Sequence, residues 1–173
     1  MLYGIILMFI LVGIDQASKQ LAFHFLANPT ASKTVIPYVL EFSYHENTGA
    51  SLGILDGQMI LFMVITVFAL MIFGALYVSS DFRTKRVYSY AIVLFIAGTI
   101  GNAIDRALLG YVIDFMHFPF LSYILNPIGI SNFYNNMADM YLSVAIVLFF
   151  IDLFFIDPKR KKLQTHDENV HTE

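Results

Sequence analysis

Four apolar segments, each long enough to cross a lipid bilayer, constrain the fold of this chain more than any other feature. They cover residues 3–25, 59–78, 87–104 and 136–156. A spanning helix needs roughly 20 mostly apolar residues. Only helices and closed barrels satisfy every backbone polar group inside a bilayer. The sequence therefore predicts an all-α integral membrane protein with four transmembrane helices.

The composition agrees with a membrane protein. Hydrophobic residues make up 58% of the 173 residues and charged residues only 13%, whereas about a quarter of the residues of a soluble domain are charged. The net charge of −3 comes without a basic stripe, so a nucleic-acid partner is not expected. The chain has no cysteine, which excludes disulfides, thiolate metal sites and a cysteine nucleophile. We expect one four-span domain over residues 1–157 and a basic, then polar, disordered tail over residues 158–173.

The basic residues predict the orientation in the membrane. Lys33 and Arg106 are the only basic residues in the two long connections. Short cytoplasmic loops carry an excess of Lys and Arg, so both termini are predicted to be cytoplasmic and the long connections to face outward. Apart from Lys19 within the first span, the other Lys and Arg residues lie after the second span or after the fourth: Arg83, Lys85, Arg86, Lys159, Arg160, Lys161 and Lys162.

The two outward connections are predicted to be structured. Residues 34–44 are rich in Val, Ile, Tyr and Phe, as strands are, so residues 27–58 should form a small extracytoplasmic β-rich segment. The residues that follow, 45–49, read as a turn. The second connection begins at residue 105. Its residues 107–135 include an aromatic stretch, 115–134, that is interrupted by two prolines and a glycine. It is too broken for a span and is predicted to be a loop in the membrane interface.

Two carboxylates, Asp114 and Asp139, lie in or beside the apolar segments. An ionisable group at membrane depth is costly and usually functional. Two close carboxylates share one proton, so the ionised one can take a proton from water while the protonated one polarises a carbonyl group. This pattern favours a membrane peptidase of the aspartyl type. Asp139 could alternatively cap the N-terminus of the fourth helix, which favours an anion.

Polar residues in the first span form another candidate cluster. Asp15, Ser18 and Lys19 fall on one helix face. They could form a structural ion pair that faces the bundle, or they could help to shape the site.

Asn102, Asp105 and Arg106 have the same spacing at the outer end of the third span. They could form a helix-end ion pair between Asp105 and Arg106, or they could position the site. Gly98 and Gly101, one turn earlier, would allow close helix approach.

Other chemistries find little support in the sequence. His24, His45 and His117 have no ligand spacing on a helix, so no metal site is predicted. Ser51 does not lie in a Gly-x-Ser-x-Gly motif.

A small proton-coupled transporter or channel is the main alternative, because such proteins also carry intramembrane acids. A transporter should show internal repeats and a midplane site, whereas these acids gather toward the outer ends of the spans. A structural assembly factor would leave the paired acids unexplained.

Taken in order, four motifs resemble the successive blocks of the lipoprotein signal peptidase family, also called signal peptidase II. They extend from the first span to the fourth and include both acids. The motifs are Val12-Gly13-Ile14-Asp15-Gln16-Ala17-Ser18-Lys19, Asn47-Thr48-Gly49-Ala50-Ser51, Gly101-Asn102-Ala103-Ile104-Asp105-Arg106 with Gly110-Tyr111-Val112-Ile113-Asp114-Phe115, and Asn136-Met137-Ala138-Asp139.

The resemblance implies an activity. The family removes signal peptides from bacterial prolipoproteins and cuts before a cysteine that carries a diacylglyceryl group. It needs no cofactor or metal, acts in the cytoplasmic membrane and is the target of globomycin-type antibiotics. By motif, the catalytic pair corresponds to Asp114 and Asp139. The supporting positions correspond to Asp15, Lys19, Asn47, Gly49, Asn102, Asp105, Arg106 and Asn136.

The chain departs from the family pattern at a few places. Ser51-Leu52 replaces the usual Ala-Phe pair, and Asn135 replaces the usual Phe before the last block. The stretch between Asp114 and Asp139 is also longer than usual. We expect these changes to affect the rim that faces the substrate rather than the acids.

Overall fold

In the computed structural model, residues 1–28, 31–49, 58–128, 132–160 and 162 are described. Four of its helices are long and apolar enough to cross a membrane, as the sequence predicts. They are α1 (Leu2–Leu26), α2 (Met59–Tyr77), α3 (Arg86–Leu109) and the helical stretch Met137–Arg160, which begins with α5 (Met137–Ile151).

The third and fourth spans are longer than predicted. Helix α3 extends past residue 104 to Leu109, and Gly110 ends it in the left-handed conformation with φ 87°, which glycine adopts without steric cost. The fourth span continues through a π-turn, Asp152–Ile156, to Arg160. A π-turn adds one residue to the turn, which brings Asp152 and Arg160 to one helix face. Their ion pair of 2.7 Å supports the extra turn.

Helix α3 is the centre of the bundle, and α1, α2 and α5 all pack against it. Half of the residues in the apolar 18-residue stretch of α3 are buried, whereas none is buried in the corresponding stretch of α2. Small residues allow this packing. A Cβ atom at Gly98 would lie 2.7 Å from the Ala138 carbonyl oxygen and 2.8 Å from Leu142 Cγ, so the glycine sets how closely α5 approaches α3.

A four-stranded antiparallel sheet in the order β1-β2-β3-β4 joins the two long connections. Strands β1 (Lys33–Ile36) and β2 (Leu40–Asn47) come from the first connection. Strands β3 (Val112–His117) and β4 (Tyr134–Asn135) come from the second.

The turn predicted at residues 45–49 is wrong for its first three residues. His45, Glu46 and Asn47 belong to β2 and pair with Asp114, Ile113 and Val112 of β3. Pairing with a distant strand outweighs the local turn preference of this polar sequence. The chain reverses between β1 and β2 instead, where Tyr38 has a positive φ of 63°.

The second connection is more regular than the predicted interfacial loop. Its first part is β3, whose residues are buried except for the half-buried His117 at its end. A short helix, α4 (Pro119–Leu125), follows, and a 3₁₀ turn over Asn126–Ile128 continues it. Residues 163–173 of the predicted disordered tail, together with Lys161, lie outside the described residues.

Candidate active site

Asp114 enters the site on strand β3, and its side chain is fully buried. Two asparagine amides bind it. Asn47 Nδ2 donates to Asp114 Oδ2 at 2.8 Å, and Asn136 Nδ2 donates to Asp114 Oδ1 at 2.6 Å. Both carboxylate oxygens of Asp114 therefore accept a hydrogen bond from a neutral donor.

Asp139 enters from the first turn of α5, and the capping interpretation left open by the sequence is confirmed. The Asp139 N–H donates to Asn136 Oδ1 at 3.0 Å, and the Asn136 N–H donates to Asp139 Oδ2 at 3.2 Å, which is a reciprocal capping box. The same carboxylate also faces the site, because Asn102 Nδ2 donates to Asp139 Oδ1 at 2.8 Å. Capping and a place in the site are therefore compatible.

A bridge of two amides connects these carboxylates. Asn136 Nδ2 donates to Asn102 Oδ1 at 3.1 Å, so Asp114 and Asp139 are linked through the side chains of Asn136 and Asn102. Lys19 Nζ lies 2.9 Å from Asn102 Oδ1. Because an ammonium group only donates, this contact fixes the orientation of the Asn102 amide and turns its N–H toward Asp139.

The surroundings of Asp114 change its acidity. Burial raises the pKa of Asp114 to about 7, and the neighbouring charge of Asp139 acts in the same direction. The hydrogen bonds from Asn47 and Asn136 and the charge of Lys19 only partly oppose this rise in pKa. A carboxyl group with a pKa near neutral can hold a proton and release it during a reaction.

Asp15, Lys19 and Asp105 form a buried ion cluster beside the carboxylates. Lys19 Nζ lies 3.0 Å from Asp15 Oδ2 and 3.0 Å from Asp105 Oδ2, and the three side chains are at most 3% exposed. The ion pair expected in the first span is therefore present, and it includes an acid from the third span. Ser18 does not share it, since its hydroxyl donates to the Asp15 carbonyl.

The ion pair considered between Asp105 and Arg106 is wrong. Consecutive side chains on a helix point about 100° apart, so the two residues face different partners. Asp105 binds Lys19, whereas Arg106 donates to the Gly49 carbonyl at 3.2 Å and lies 4.6 Å from the centre of the Phe62 ring. Arg106 thereby joins α3 to α2 and to Gly49, just after the end of β2.

Asn47 and Gly49 shape the edge of the site. The Gly49 N–H donates to Asn47 Oδ1 at 3.0 Å, which orients the Asn47 amide so that its N–H reaches Asp114. A cavity of about 240 Å³ opens beside Asp139, between α2, α3 and α5. The cavity residues are Phe62, Ile65, Thr66, Ala69, Thr99, Asn102, Arg106, Asp139 and Leu142.

The sequence analysis did not select Gln16, which belongs to the same network. Its Nε2 lies 2.9 Å from Asp105 Oδ1, 3.1 Å from the Gly101 carbonyl oxygen and 3.2 Å from Asp15 Oδ2. An uncharged polar residue between Asp15 and Lys19 in an apolar span was the available signal. All eight supporting residues from the sequence analysis contact the site or its buried ion cluster.

The histidines and the unusual positions of the sequence make none of the hydrogen bonds described for this network. His45 and His117 stack against the Tyr134 ring with centroids 4.6 Å and 4.5 Å away. In the part of the chain that the structure describes, no group of three His, Asp or Glu side chains could hold a metal ion. Asn135, expected at the rim, is instead buried because β4 pairs with β3. Ser51 and Leu52 lie outside the described residues.

Comparison with known proteins gives consistent matches over most of the chain. The family model described as signal peptidase (SPase) II matches residues 7–155. The lipoprotein signal peptidase of Latilactobacillus sakei is 34% identical over 169 residues, which cover 96% of this chain and 99% of that protein. The lipoprotein signal peptidase of Bacillus subtilis is 36% identical over 166 residues, or 95% and 100% of the two chains.

Solved structures of bacterial membrane enzymes share the fold. One has a TM-score of 0.69 and 32% sequence identity, and the match covers 87% of each chain. Another has a TM-score of 0.69 and 31% identity, with 88% of this chain and 93% of that chain covered.

Proposed function

The chain belongs to the signal peptidase II family, the lipoprotein signal peptidases, and from that premise we propose that Asp114 and Asp139 are its catalytic pair. The family removes signal peptides and is a family of aspartic proteases, so the transporter alternative is not favoured. The four apolar helices and the related membrane enzymes make this chain a multi-pass bacterial membrane protein.

One observation carries the assignment of the pair. Asp114 and Asp139 come from a strand and a helix that are distant in the sequence, yet both bind the same bridge of two asparagine amides. A neutral bridge keeps two carboxylates close without neutralising either with a cation. This is the condition under which two acids share one proton.

The two acids take different roles. Asp114 holds the shared proton, in keeping with a pKa raised to about 7 by burial and by the charge of Asp139. Asp139 is the base, because it lies in the first turn of α5, where the helix dipole favours an anion. Asp139 is also half-buried beside the cavity, so water and substrate can reach it.

The reaction follows from these roles. Asp139 takes a proton from a water molecule, whose oxygen attacks the scissile carbonyl carbon while Asp114 gives its proton to the carbonyl oxygen. The tetrahedral intermediate then collapses. The carbon–nitrogen bond breaks, the leaving nitrogen takes the proton from Asp139, and a hydroxyl proton of the intermediate returns to Asp114. The products are a signal peptide with a new carboxyl terminus and a mature protein with a free amine.

The orientation in the membrane is also part of this proposal. Both termini are cytoplasmic, and the acids face the outer side. The distribution of charge supports this orientation, because Arg83 and Lys85 lie between α2 and α3 and Arg86 begins α3, at the opposite end of that helix from Asp105. Residues 1–157 act as one membrane domain, which the packing of every span on α3 supports.

We further propose that the substrate is a prolipoprotein whose cysteine carries a diacylglyceryl group, and that membrane lipid surrounds the site. A second cavity, of about 220 Å³, lies between α2 and α3 and has a mainly apolar lining, which suits an acyl chain. It adjoins the cavity beside Asp139, since Arg106 lines both. Globomycin-type inhibitors are expected to occupy the same site. No cofactor is required by the proposed chemistry.

The test of the proposal uses purified protein and a diacylglyceryl-modified prolipoprotein, with release of the signal peptide as the readout. Asp114→Asn and Asp139→Asn should each abolish cleavage, since asparagine has nearly the same shape but cannot relay a proton. Asp152→Asn is the matched control, because Asp152 is buried like Asp114 but lies at the other end of the bundle. Cleavage within about tenfold of wild type by either site variant would remove that residue from the pair.

A further inference from the structure

Each carboxylate of the proposed pair follows a residue whose backbone N–H is bound by another buried carboxylate. The Ile113 N–H, just before Asp114, donates to Asp105 Oδ2 at 3.0 Å. The Ala138 N–H, just before Asp139, donates to Asp15 Oδ1 at 2.8 Å. In both segments, therefore, the backbone is held at the residue just before the proposed catalytic acid.

One ammonium group connects these two anchors. Lys19 Nζ lies 3.0 Å from Asp15 Oδ2, 3.0 Å from Asp105 Oδ2 and 2.9 Å from Asn102 Oδ1. An ammonium group has three donors, so these three contacts use all of them. Gln16 strengthens the connection, because its Nε2 is within hydrogen-bond distance of both Asp15 and Asp105.

We propose that Asp15, Lys19 and Asp105 form a positioning triad that sets the separation of the two catalytic carboxylates by holding the backbone immediately before each one. This inference rests on the proposed function, since it takes Asp114 and Asp139 as the pair. The triad touches neither the scissile bond nor the attacking water. It acts through the backbone of Ile113 and Ala138.

The fold explains why such a device is needed. Strand β3, which carries Asp114, is held in the sheet by β2 and β4, whereas α5, which carries Asp139, packs on α3. These two elements do not pack extensively against each other, but α1 contacts both of them. Asp15 and Lys19 on α1 therefore tie together two elements that could otherwise shift independently.

A purely structural ion cluster would leave a different kinetic signature. Two interacting carboxylates lose their protons in two steps, and the gap between the steps grows as the carboxylates come closer. The singly protonated pair is the active form, so the width of the pH–rate profile reports the separation of the carboxylates. The charged or titratable groups that face the pair are Asp15 and Lys19 on α1, His45 on β2, and Asp105 and Arg106 on α3.

Removing a charge and changing the spacing have distinguishable effects on that profile. Loss of a nearby charge shifts the acid and alkaline limbs in the same direction. A larger separation of the carboxylates moves the limbs toward each other and narrows the profile. Gln16→Met also separates the two effects. It removes an amide that donates to Asp15 and Asp105, and it changes no charge.

The experiment measures kcat and KM against pH for Asp15→Asn, Asp105→Asn and Gln16→Met, with thermal stability measured in parallel. In the first two variants we expect kcat to fall by about 10- to 100-fold, as displacements of about 1 Å can cost, with KM within about twofold and a narrower profile. Gln16→Met should narrow the profile less. Asp152→Asn, which breaks the ion pair of a buried carboxylate far from the site, should lower stability and leave the width of the pH–rate profile unchanged.

Two outcomes would overturn the inference. If the triad variants lose stability and keep a profile of wild-type width, the cluster is structural only. Asp15→Asn or Asp105→Asn could fail to fold, in which case an unchanged width in Gln16→Met decides against the triad. These results are separable from the proposed function, which fails only if Asp114→Asn or Asp139→Asn remains active.

Discussion

Gly101 on α3 lies directly against the carboxylate of Asp15 on α1. A Cβ atom at Gly101 would be 2.5 Å from Asp15 Oδ2 and 3.2 Å from the Ala138 Cβ. Asp15 cannot move aside easily, because Lys19, Gln16 and the Ala138 N–H all bind it. The absence of a side chain at position 101 therefore lets α1, α3 and α5 meet at the buried ion cluster.

The first prediction is that Gly101→Ala lowers both stability and activity. Overpacking of this kind costs about 1–3 kcal/mol, and here it also displaces Asp15 from Ala138. Gly13→Ala is the matched control, since no described atom lies within 4 Å of a Cβ there and alanine favours a helix over glycine. The unfolding temperature in detergent and the cleavage rate should both fall for Gly101→Ala, and neither should fall for Gly13→Ala. Equal behaviour of the two variants would contradict the close approach.

The second prediction concerns Arg106, whose side chain joins α3 to the end of β2. Arg106→Ala should lower stability and activity together, because it removes the hydrogen bond to the Gly49 carbonyl and the contact with Phe62. A loss of about 1–3 kcal/mol is expected. Arg83→Ala, which removes an exposed arginine at the other end of α3, should leave both unchanged. Full activity of Arg106→Ala would show that the site does not need the hydrogen bond between Arg106 and the Gly49 carbonyl.

The third prediction is a pH dependence of stability that comes from Asp114. Its pKa is raised in the folded protein to about 7, so folding favours the protonated form. The resulting stability is fully present below the ordinary carboxyl pKa and is lost as the pH rises to about 7. Within that window the wild type should lose roughly 1 kcal/mol per pH unit relative to Asp114→Asn. Thermal unfolding of both proteins between about pH 4 and about pH 8 checks this difference.

Asp81 has a pKa shift of the opposite sign, and its effect on stability falls below the pH range of this experiment. Hydrogen bonds from the Thr84 hydroxyl and the Arg83 N–H lower the pKa of Asp81. Its contribution to stability is therefore present above the ordinary carboxyl pKa and is lost as the pH falls through the lowered value. If the stability of the wild type does not fall relative to that of Asp114→Asn as the pH rises, the raised pKa of Asp114 is contradicted.

The fourth prediction is that cleavage depends on the lipid of the substrate. A diacylglyceryl anchor confines the peptide to the membrane surface, which raises its effective concentration at the site. Each buried CH₂ group also contributes about 0.8 kcal/mol. The same preprotein should therefore be cut much more slowly without its diacylglyceryl group, in matched detergent or lipid. Equal rates would show that the enzyme reads only the peptide.

The sequence was sufficient for the features that depend on local chemistry. The four spans follow from apolar length alone, because a bilayer leaves the backbone few other structures. Asp114 and Asp139 could be selected because ionisable groups at membrane depth are costly. The capping role of Asp139 was also readable, since it depends only on a polar residue in the first turn of a helix.

The features that depend on distant neighbours required the tertiary structure. The polar run from His45 to Asn47 forms a strand because β3 offers a partner, which local turn preference cannot anticipate. Asp105 pairs with Lys19 rather than with the adjacent Arg106, because the helix points consecutive side chains apart and brings α1 alongside. Gln16 was not selected for a similar reason, since two of its three partners, Asp105 and the Gly101 carbonyl, belong to another helix.

The length of the apolar segments and the cost of buried charge thus predicted the membrane fold and selected the two acids from the sequence itself. Only the tertiary structure decided how those acids meet. In that structure Ile113 and Ala138, the residues just before the two acids, donate their N–H groups to Asp105 on α3 and Asp15 on α1, and a glycine leaves room for this arrangement. Such contacts join residues far apart in the chain, and their energies depend on the packing of three helices and a strand around one buried lysine.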